Sequence, residues 1–301
     1  MRGSSPASGG DRPVVEVVFG AGDGPSIAME SVSRHYERLR VGRTRRMFAV
    51  FGGIEGGVGP MDEEEDDDDG DDGFEADEDE AESVAVDGTV ALDAVSLRVS
   101  GAGCLGVVGP PGSGKSVLAR TVAGITPPSS GRVVVHGSLG PILAPAAGFL
   151  GRQGRLSRRL PMLAAVLRLP VRDVRRRLPE IFDFLGDPDA GKLPISSLST
   201  KRRLDIVFAL VLSLDLDIVV VDCPLPAGAY GERCRSRLRD LKNEGTLVLV
   251  TAQAPDGVAW IADRMIEMKQ GRIVSEHGVE VDPEPLASDQ AQGEDRPGTS
   301  F

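Results

Sequence analysis

Aromatic side chains, lysines and cysteines are all scarce in this sequence, and no apolar run is long. Phe, Trp and Tyr make up 4% of the chain. A core must therefore come from Val, Leu, Ile and Ala, which a hydrophobic content of 41% supplies. The three cysteines, Cys104, Cys223 and Cys234, lack zinc-ligand spacing. They read as small fillers in a reduced, cytoplasmic protein. The longest apolar run, Ile206–Leu214, is too short to span a bilayer, which needs ~20 residues. No apolar stretch of the kind found in signal peptides follows Met1–Pro13, so none is expected. No internal repeat is visible. What remains is 301 residues, room for one large α/β domain or two small ones.

The net charge of −12 belongs to one segment. Met61–Glu82 holds 16 acidic residues and no basic one, which leaves 30 acids against 34 lysines and arginines elsewhere. The body is slightly basic. Such a block cannot bury enough apolar surface to offset chain entropy, so it is expected to be disordered. It reads either as a solvated spacer or as an electrostatic arm for a basic patch, with Arg40–Arg46 the nearest candidate. The arginines are scattered and aromatics able to stack on bases are few, which argues against a nucleic-acid partner.

Along the chain, residues 1–24 are rich in Gly, Ser and Pro and read as a loose tail. Ser26–Arg34 and Val90–Val99 alternate as strands do. Between them, Leu39–Phe51 is basic with interspersed apolar residues and reads as a short amphipathic helix, followed by the acidic block. Strand and helix patterns then alternate, which predicts a largely parallel sheet covered by helices. The predicted elements are strand Cys104–Val108, helix Lys115–Ala123, strand Arg132–His136, helix Ser199–Ser213 with Ser199 as N-cap, and strand Asp217–Asp222. Helix Glu232–Asn243, strand Thr246–Thr251 and a hairpin through Met265–Met268 and Arg272–Val274 follow. Gly151–Ser197, rich in Arg and Leu, reads as a separate helical subdomain with Val171–Leu185 helical through Pro179. The last twenty residues are polar.

One motif carries specific chemistry. Gly109-Pro110-Pro111-Gly112-Ser113-Gly114-Lys115-Ser116 matches the phosphate-binding pattern G-x-x-x-x-G-K-[ST] at every fixed position. Its glycines let backbone N–H groups turn inward toward phosphate oxygens, and the helix that starts there adds its positive dipole end. Lys115 is placed to reach the β- and γ-phosphates, and the Ser116 hydroxyl to ligate Mg²⁺. With only five lysines in the chain, one at that position is a weak candidate for coincidence. Asp222 ends the buried run Ile218–Val221, where a carboxylate would meet the metal's water shell.

From Ser26 to Ser275 the chain resembles the ATP-binding subunit of an ABC transporter. Ile27–Tyr36 looks like its opening strand, Val90–Leu97 its second, and Val117–Ile125 with Ser130–Val133 the segment after the phosphate loop. Leu198-Ser199 falls where the family's signature begins, and its distance to Asp222 matches. Ile261–Met265 with Lys269–Val274 looks like the closing hairpin. The resemblance implies a P-loop NTPase (ABC ATPase) core with a mostly parallel sheet, an antiparallel β subdomain and a helical subdomain. The implied boundaries are a disordered tail at 1–24, the ATP-binding domain at 25–281 with an insertion at 37–88 and the helical subdomain at 151–200, and a second tail at 282–301. It implies ATP and Mg²⁺ as ligands, with Tyr36 stacking on adenine, Gly109–Val117 cradling the phosphates, Ser199 donating from the signature, and Ser116 and Asp222 serving the metal. It also implies a polytopic membrane permease, a second ATP-binding subunit forming a homo- or heterodimer, and a cytoplasmic position on the inner face of the membrane. Within the family the chain is most similar to exporters of polysaccharide, O-antigen or teichoic acid. The residues behind this are the Arg-rich Arg38–Arg46, Ala147-Gly148-Phe149 after Pro141–Leu143, and Gly228 followed by Tyr230 and Cys234.

Departures from the family pattern fall on catalytic positions. The signature reads Leu198-Ser199-Thr200-Lys201-Arg202, without the glycines that let one subunit's backbone approach the other's γ-phosphate. Cys223 stands where the family has the Glu that polarises the attacking water. Ala252 stands at the switch histidine, Ala229 after Gly228 where an Asp is usual, and Leu150 where a Gln or His is usual, with Gln153 the nearest substitute. No catalytic residue is therefore intact, and losing a positioned base costs ~10²–10⁴ in rate. Two functions remain: an exporter subunit with weak or absent hydrolysis, and a pseudo-ATPase that regulates or scaffolds a membrane partner. The absence of an Asn-Lys-x-Asp motif argues against a GTPase.

Overall fold

The computed structural model describes residues 14–18, 24–36 and 89–278. The readings of Leu39–Phe51, of Met61–Glu82 and of the tail after residue 281 lie outside these.

Two sheets form the scaffold. β1 (Val14–Val18), β2 (Ser26–Tyr36), β3 (Thr89–Ser100) and β5 (Ser130–His136) make a four-stranded sheet in the order β1-β5-β2-β3. Its β5-β2 and β2-β3 pairs are antiparallel and its β1-β5 pair parallel. β4 (Gly103–Val108), β6 (Leu139–Leu143), β7 (Ile218–Asp222), β8 (Leu247–Ala252), β9 (Arg264–Lys269) and β10 (Arg272–Gly278) make a six-stranded sheet, order β10-β9-β4-β8-β7-β6. All its pairs are parallel except the β9-β10 hairpin.

The central strands are apolar on both faces because both faces are covered. Ile218 and Val220 of β7, with Leu247 and Leu249 of β8, point into one core shared with α1 (Lys115–Val122) and the smaller sheet. Val219, Val221, Val248 and Val250 point into the other, filled by the helical region. Period-two alternation thus sorts one strand's side chains between two cores. Parallel β4, β7 and β8 all end at the same edge, which brings the segments after Val108, Asp222 and Ala252 together.

The helical region comprises α2 (Leu156–Val166), α3 (Val171–Arg176), α4 (Leu178–Phe184) and α5 (Thr200–Leu212). α6 (Gly228–Asn243) and the short α7 (Asp256–Ala259) complete the chain. Ser199 caps α5 by accepting the Arg202 N–H at 3.2 Å, as its position predicts.

Three expectations are corrected. The span 1–24 is not all loose tail: Val14–Val18 pairs in register with Arg132–His136, because the Val-Val-Glu-Val-Val run suits the free edge of β5. Val171–Leu185 is two helices: Pro179 sits in the first turn of α4, where its missing N–H costs nothing, and the break falls at Arg177. α6 begins at Gly228, four residues before the predicted start.

Candidate nucleotide-binding site

The loop after β4 is held by its neighbours. Gly109 has φ 153° and Gly114 has φ 102°. A Cβ on Gly109 would lie 2.2 Å from the Met268 carbonyl oxygen, and one on Gly114 2.5 Å from that of Ala91. Glycine is required at both by conformation and by close approach of β9 and β3. The Gly271 N–H donates to the Ser113 carbonyl at 3.0 Å, tying the β9-β10 turn to the loop. α1 then starts at Lys115 with Gly114 as N-cap and no side-chain cap, leaving its first N–H groups for a ligand.

Lys115 folds inward. Its Nζ donates to the carbonyls of Gly109 and Pro110 at 2.8 Å each and to Ser113 Oγ at 3.1 Å. Burial lowers its pKa from the ordinary lysine value, partly countered by the negative charge of Asp222. Asp222 Oδ1 accepts from Ser116 Oγ at 3.1 Å and from Thr251 Oγ1 at 2.7 Å. Three elements, α1, β7 and β8, thus converge on one carboxylate oxygen. A hydroxyl and a carboxylate at this spacing are hard oxygen donors that suit Mg²⁺, an ion completed by water and substrate phosphate. No cluster of three or more His, Cys, Asp or Glu is present among the described residues, and such a site needs none. Thr251 is the residue that sequence reasoning missed; its place at the end of an apolar strand beside Ala252 was the available signal.

The remaining candidates take no part in this hydrogen-bonded group. Tyr36 ends β2 opposite Thr89, and the Arg34 guanidinium stacks on its ring at 4.7 Å. Ser199 is engaged as the α5 cap, which uses one of its two lone pairs and leaves its proton free to donate. Cys223 follows Asp222 directly. Its thiol donates to the Ile142 carbonyl at 3.7 Å. Burial, with Asp222 beside it, pushes its pKa up to about 12. Leu150 is wholly buried in the helical core, whereas Gln153 is exposed. Ala252 ends β8, close against Gly257, whose Cβ would meet that of Ala252 at 2.7 Å. Ala229 is exposed in the first turn of α6, and Tyr230 behind it donates to the Asp205 carbonyl at 2.6 Å.

A phosphate loop between a parallel strand and a helix, beside an antiparallel subdomain and a helical one, defines the ABC ATPase fold. Residues 92–225 match the family described as ABC transporter. The chain is 26% identical over 190 residues to the ABC transporter protein AbcA of Aeromonas salmonicida, covering 61% of this chain and 60% of that one. It is 31% identical over 205 residues to the Fe(3+) ions import ATP-binding protein FbpC of Streptomyces avermitilis, covering 64% and 59%. It is 26% identical over 190 residues to the teichoic acids export ATP-binding protein TagH of Bacillus anthracis, covering 61% and 33%. The chain therefore spans less than two thirds of each of these relatives. Among solved structures, the dimeric ATP-binding cassette MJ0796 bound to ADP and Pi superposes with TM-score 0.57 at 15% identity, covering 84% of this chain and 99% of that one. The fold is thus that of an ABC ATPase, residues 92–225 match the ABC transporter family, and ATP-binding proteins of teichoic acids export and O-antigen export are among the chain's relatives.

Proposed function

We propose that this chain binds Mg·ATP at Gly109–Val117 as a subunit of an exporter for polysaccharide or lipid-linked glycan, and that it hydrolyses ATP slowly or not at all. The observation that carries the slow-hydrolysis reading is the residue after Asp222. A water-activating group must accept a proton near neutral pH. The Cys223 thiol holds its own proton to about 12 and donates it to a backbone carbonyl. Lys115 and the N–H groups of α1 would hold the phosphates. Ser116 and Asp222 would hold the metal, with Thr251 orienting the carboxylate. Mg²⁺, when bound, neutralises phosphate charge. In this reading the permease is a polytopic membrane protein, the second ATP-binding subunit completes each site with its signature, and the chain sits on the cytoplasmic face. Residues 25–281 form the nucleotide-binding unit, with 151–200 its helical part.

A second reading, a pseudo-ATPase that regulates or scaffolds a membrane partner, is favoured by one specific combination. The signature position holds Thr200-Lys201 in addition to the loss at Cys223 and Ala252. A subunit that had lost only its own base could still complete a partner's site. This chain alters both halves. Steady-state phosphate release from the purified chain, alone and with its permease, separates the readings from an ordinary ATPase. We expect nucleotide binding with turnover far below ~1 s⁻¹. A rate at or above ~1 s⁻¹, inside the usual enzyme range, would refute slow hydrolysis.

A further inference from the structure

The helical region carries a surface that the nucleotide site does not use. Residues 151–177 contain nine arginines and a single acid, Asp173. Some of these are engaged. Arg176 pairs with Asp173 at 2.8 Å, Arg177 with Asp215 and Glu180, and Arg159 donates to the Gln153 carbonyl. Arg155, Arg158, Arg168, Arg172 and Arg175 are exposed and make no ion pair among the described residues. Arg158 and Arg175 border a groove between α2 and α3 floored by Pro161, Met162, Val171 and Leu178. Met162 is 55% exposed and Val166, on the same helix, 54%. Apolar side chains left to water beside unpaired cations suit a peptide that is acidic with one large apolar residue.

This chain contains such a peptide. Phe74 is the one aromatic residue of Met61–Glu82, set in Asp71-Asp72-Gly73-Phe74-Glu75-Ala76-Asp77. The insertion that holds it leaves the fold at Tyr36 and re-enters at Thr89, two residues paired across β2 and β3. A tether of ~15 residues from Thr89 to position 74 spans up to ~50 Å, about the width of a domain this size. Tethering also raises the effective concentration of the segment at the groove to ~mM. Exposed ion pairs are individually weak, so the cations alone would hold it loosely. Burial of the Phe74 ring on the apolar floor supplies the position-specific part.

We propose that Phe74 and its flanking carboxylates dock in cis on the groove between α2 and α3, with Arg158 and Arg175 pairing the acids on either side of the ring. The test places the photo-cross-linker p-benzoylphenylalanine at position 74 of the full chain, in an equal mixture of isotopically heavy and light protein. Cross-links should fall on residues 157–178 of the same chain. Their yield should drop several-fold between about 0.1 M and about 1 M salt, where the screening length shrinks from ~10 Å to ~3 Å. They should vanish in Arg158→Glu/Arg175→Glu, checked for a cooperative melt. Should that variant not fold, Arg158→Gln/Arg175→Gln is used instead. Cross-links confined to residues 40–46, or no more than in denatured chain, overturn the proposal. Cross-links between heavy and light chains overturn docking in cis. None of these outcomes bears on nucleotide binding, which rests on other residues.

Discussion

At the scale of single residues, Lys115 carries two duties. Its ammonium neutralises the loop's own carbonyl oxygens, Gly109 and Pro110, and so helps hold the cradle's shape. With nucleotide it would exchange those partners for phosphate oxygens. A charge-assisted contact is worth ~1.5–3 kcal/mol. Lys115→Ala should therefore weaken Mg·ATP binding by ~10–150-fold in titration calorimetry, while unchanged affinity would contradict the phosphate-loop assignment. The positions of the lost base and switch behave differently. Cys223→Glu would set a carboxylate where the present group donates to the Ile142 carbonyl, beside the charge of Asp222. Two acceptors and a like charge disfavour an ionised base there. Cys223→Glu with Ala252→His should thus restore little phosphate release, since Thr200-Lys201 also remain at the signature. Recovery of turnover to ~1 s⁻¹ would show that those two positions alone limit the chain.

At the scale of elements, Ser199 offers the plainest test. Its hydroxyl satisfies one otherwise orphaned N–H at the start of α5, whose residues Ile206–Leu212 are buried in the helical core. Ser199→Ala should lower stability by ~1 kcal/mol in denaturant unfolding. No change would mean that solvent satisfies the N–H equally well. The cap was legible in advance because polar N-caps precede apolar periodicity, and β7 and β8 were legible as short apolar runs. β6 was harder to see. Gly140 and Pro141 are poor strand formers, and only the edge position of β6 lets Pro141 go without a donor on one side. A Cβ at Gly140 would meet the side chains of Leu216 at 2.5 Å and Val211 at 2.6 Å, so a larger residue there would require those side chains to shift. α2 was hidden by Pro161 in its interior, and β1 by a partner more than a hundred residues away. Within the site, the loop and Asp222 were readable from fixed spacing. The inward fold of Lys115 and the bond from Thr251 were not, because both depend on strands meeting in three dimensions.

At the scale of the whole molecule, the two cores divide the labour. One joins the smaller sheet to α1 and the nucleotide loop, and the other joins the central sheet to the helical region. β7 is shared by both, so Asp222 stands where the two meet. Slow turnover, as proposed, would be a property of a pair of subunits rather than of this chain alone. In a pair, each nucleotide would lie between one loop and the other subunit's signature. Two copies of this chain would impair both sites twice over. Pairing with a complete subunit would impair each site once.

The register of β2 and β3 has a consequence for how this fold tolerates change. Tyr36 and Thr89 are partners across adjacent strands, so the insertion between them starts and finishes about one strand spacing apart, ~4.8 Å. The β2-β3 pairing itself requires only that closure. The entropic cost of closing a flexible loop grows as the logarithm of its length, ~0.6 kcal/mol for each doubling. For a flexible insert, added length would therefore cost the β2-β3 pairing little, which makes this hairpin end a natural splice point. A lineage could acquire an acidic arm here, or an engineer a reporter domain, without renegotiating either core.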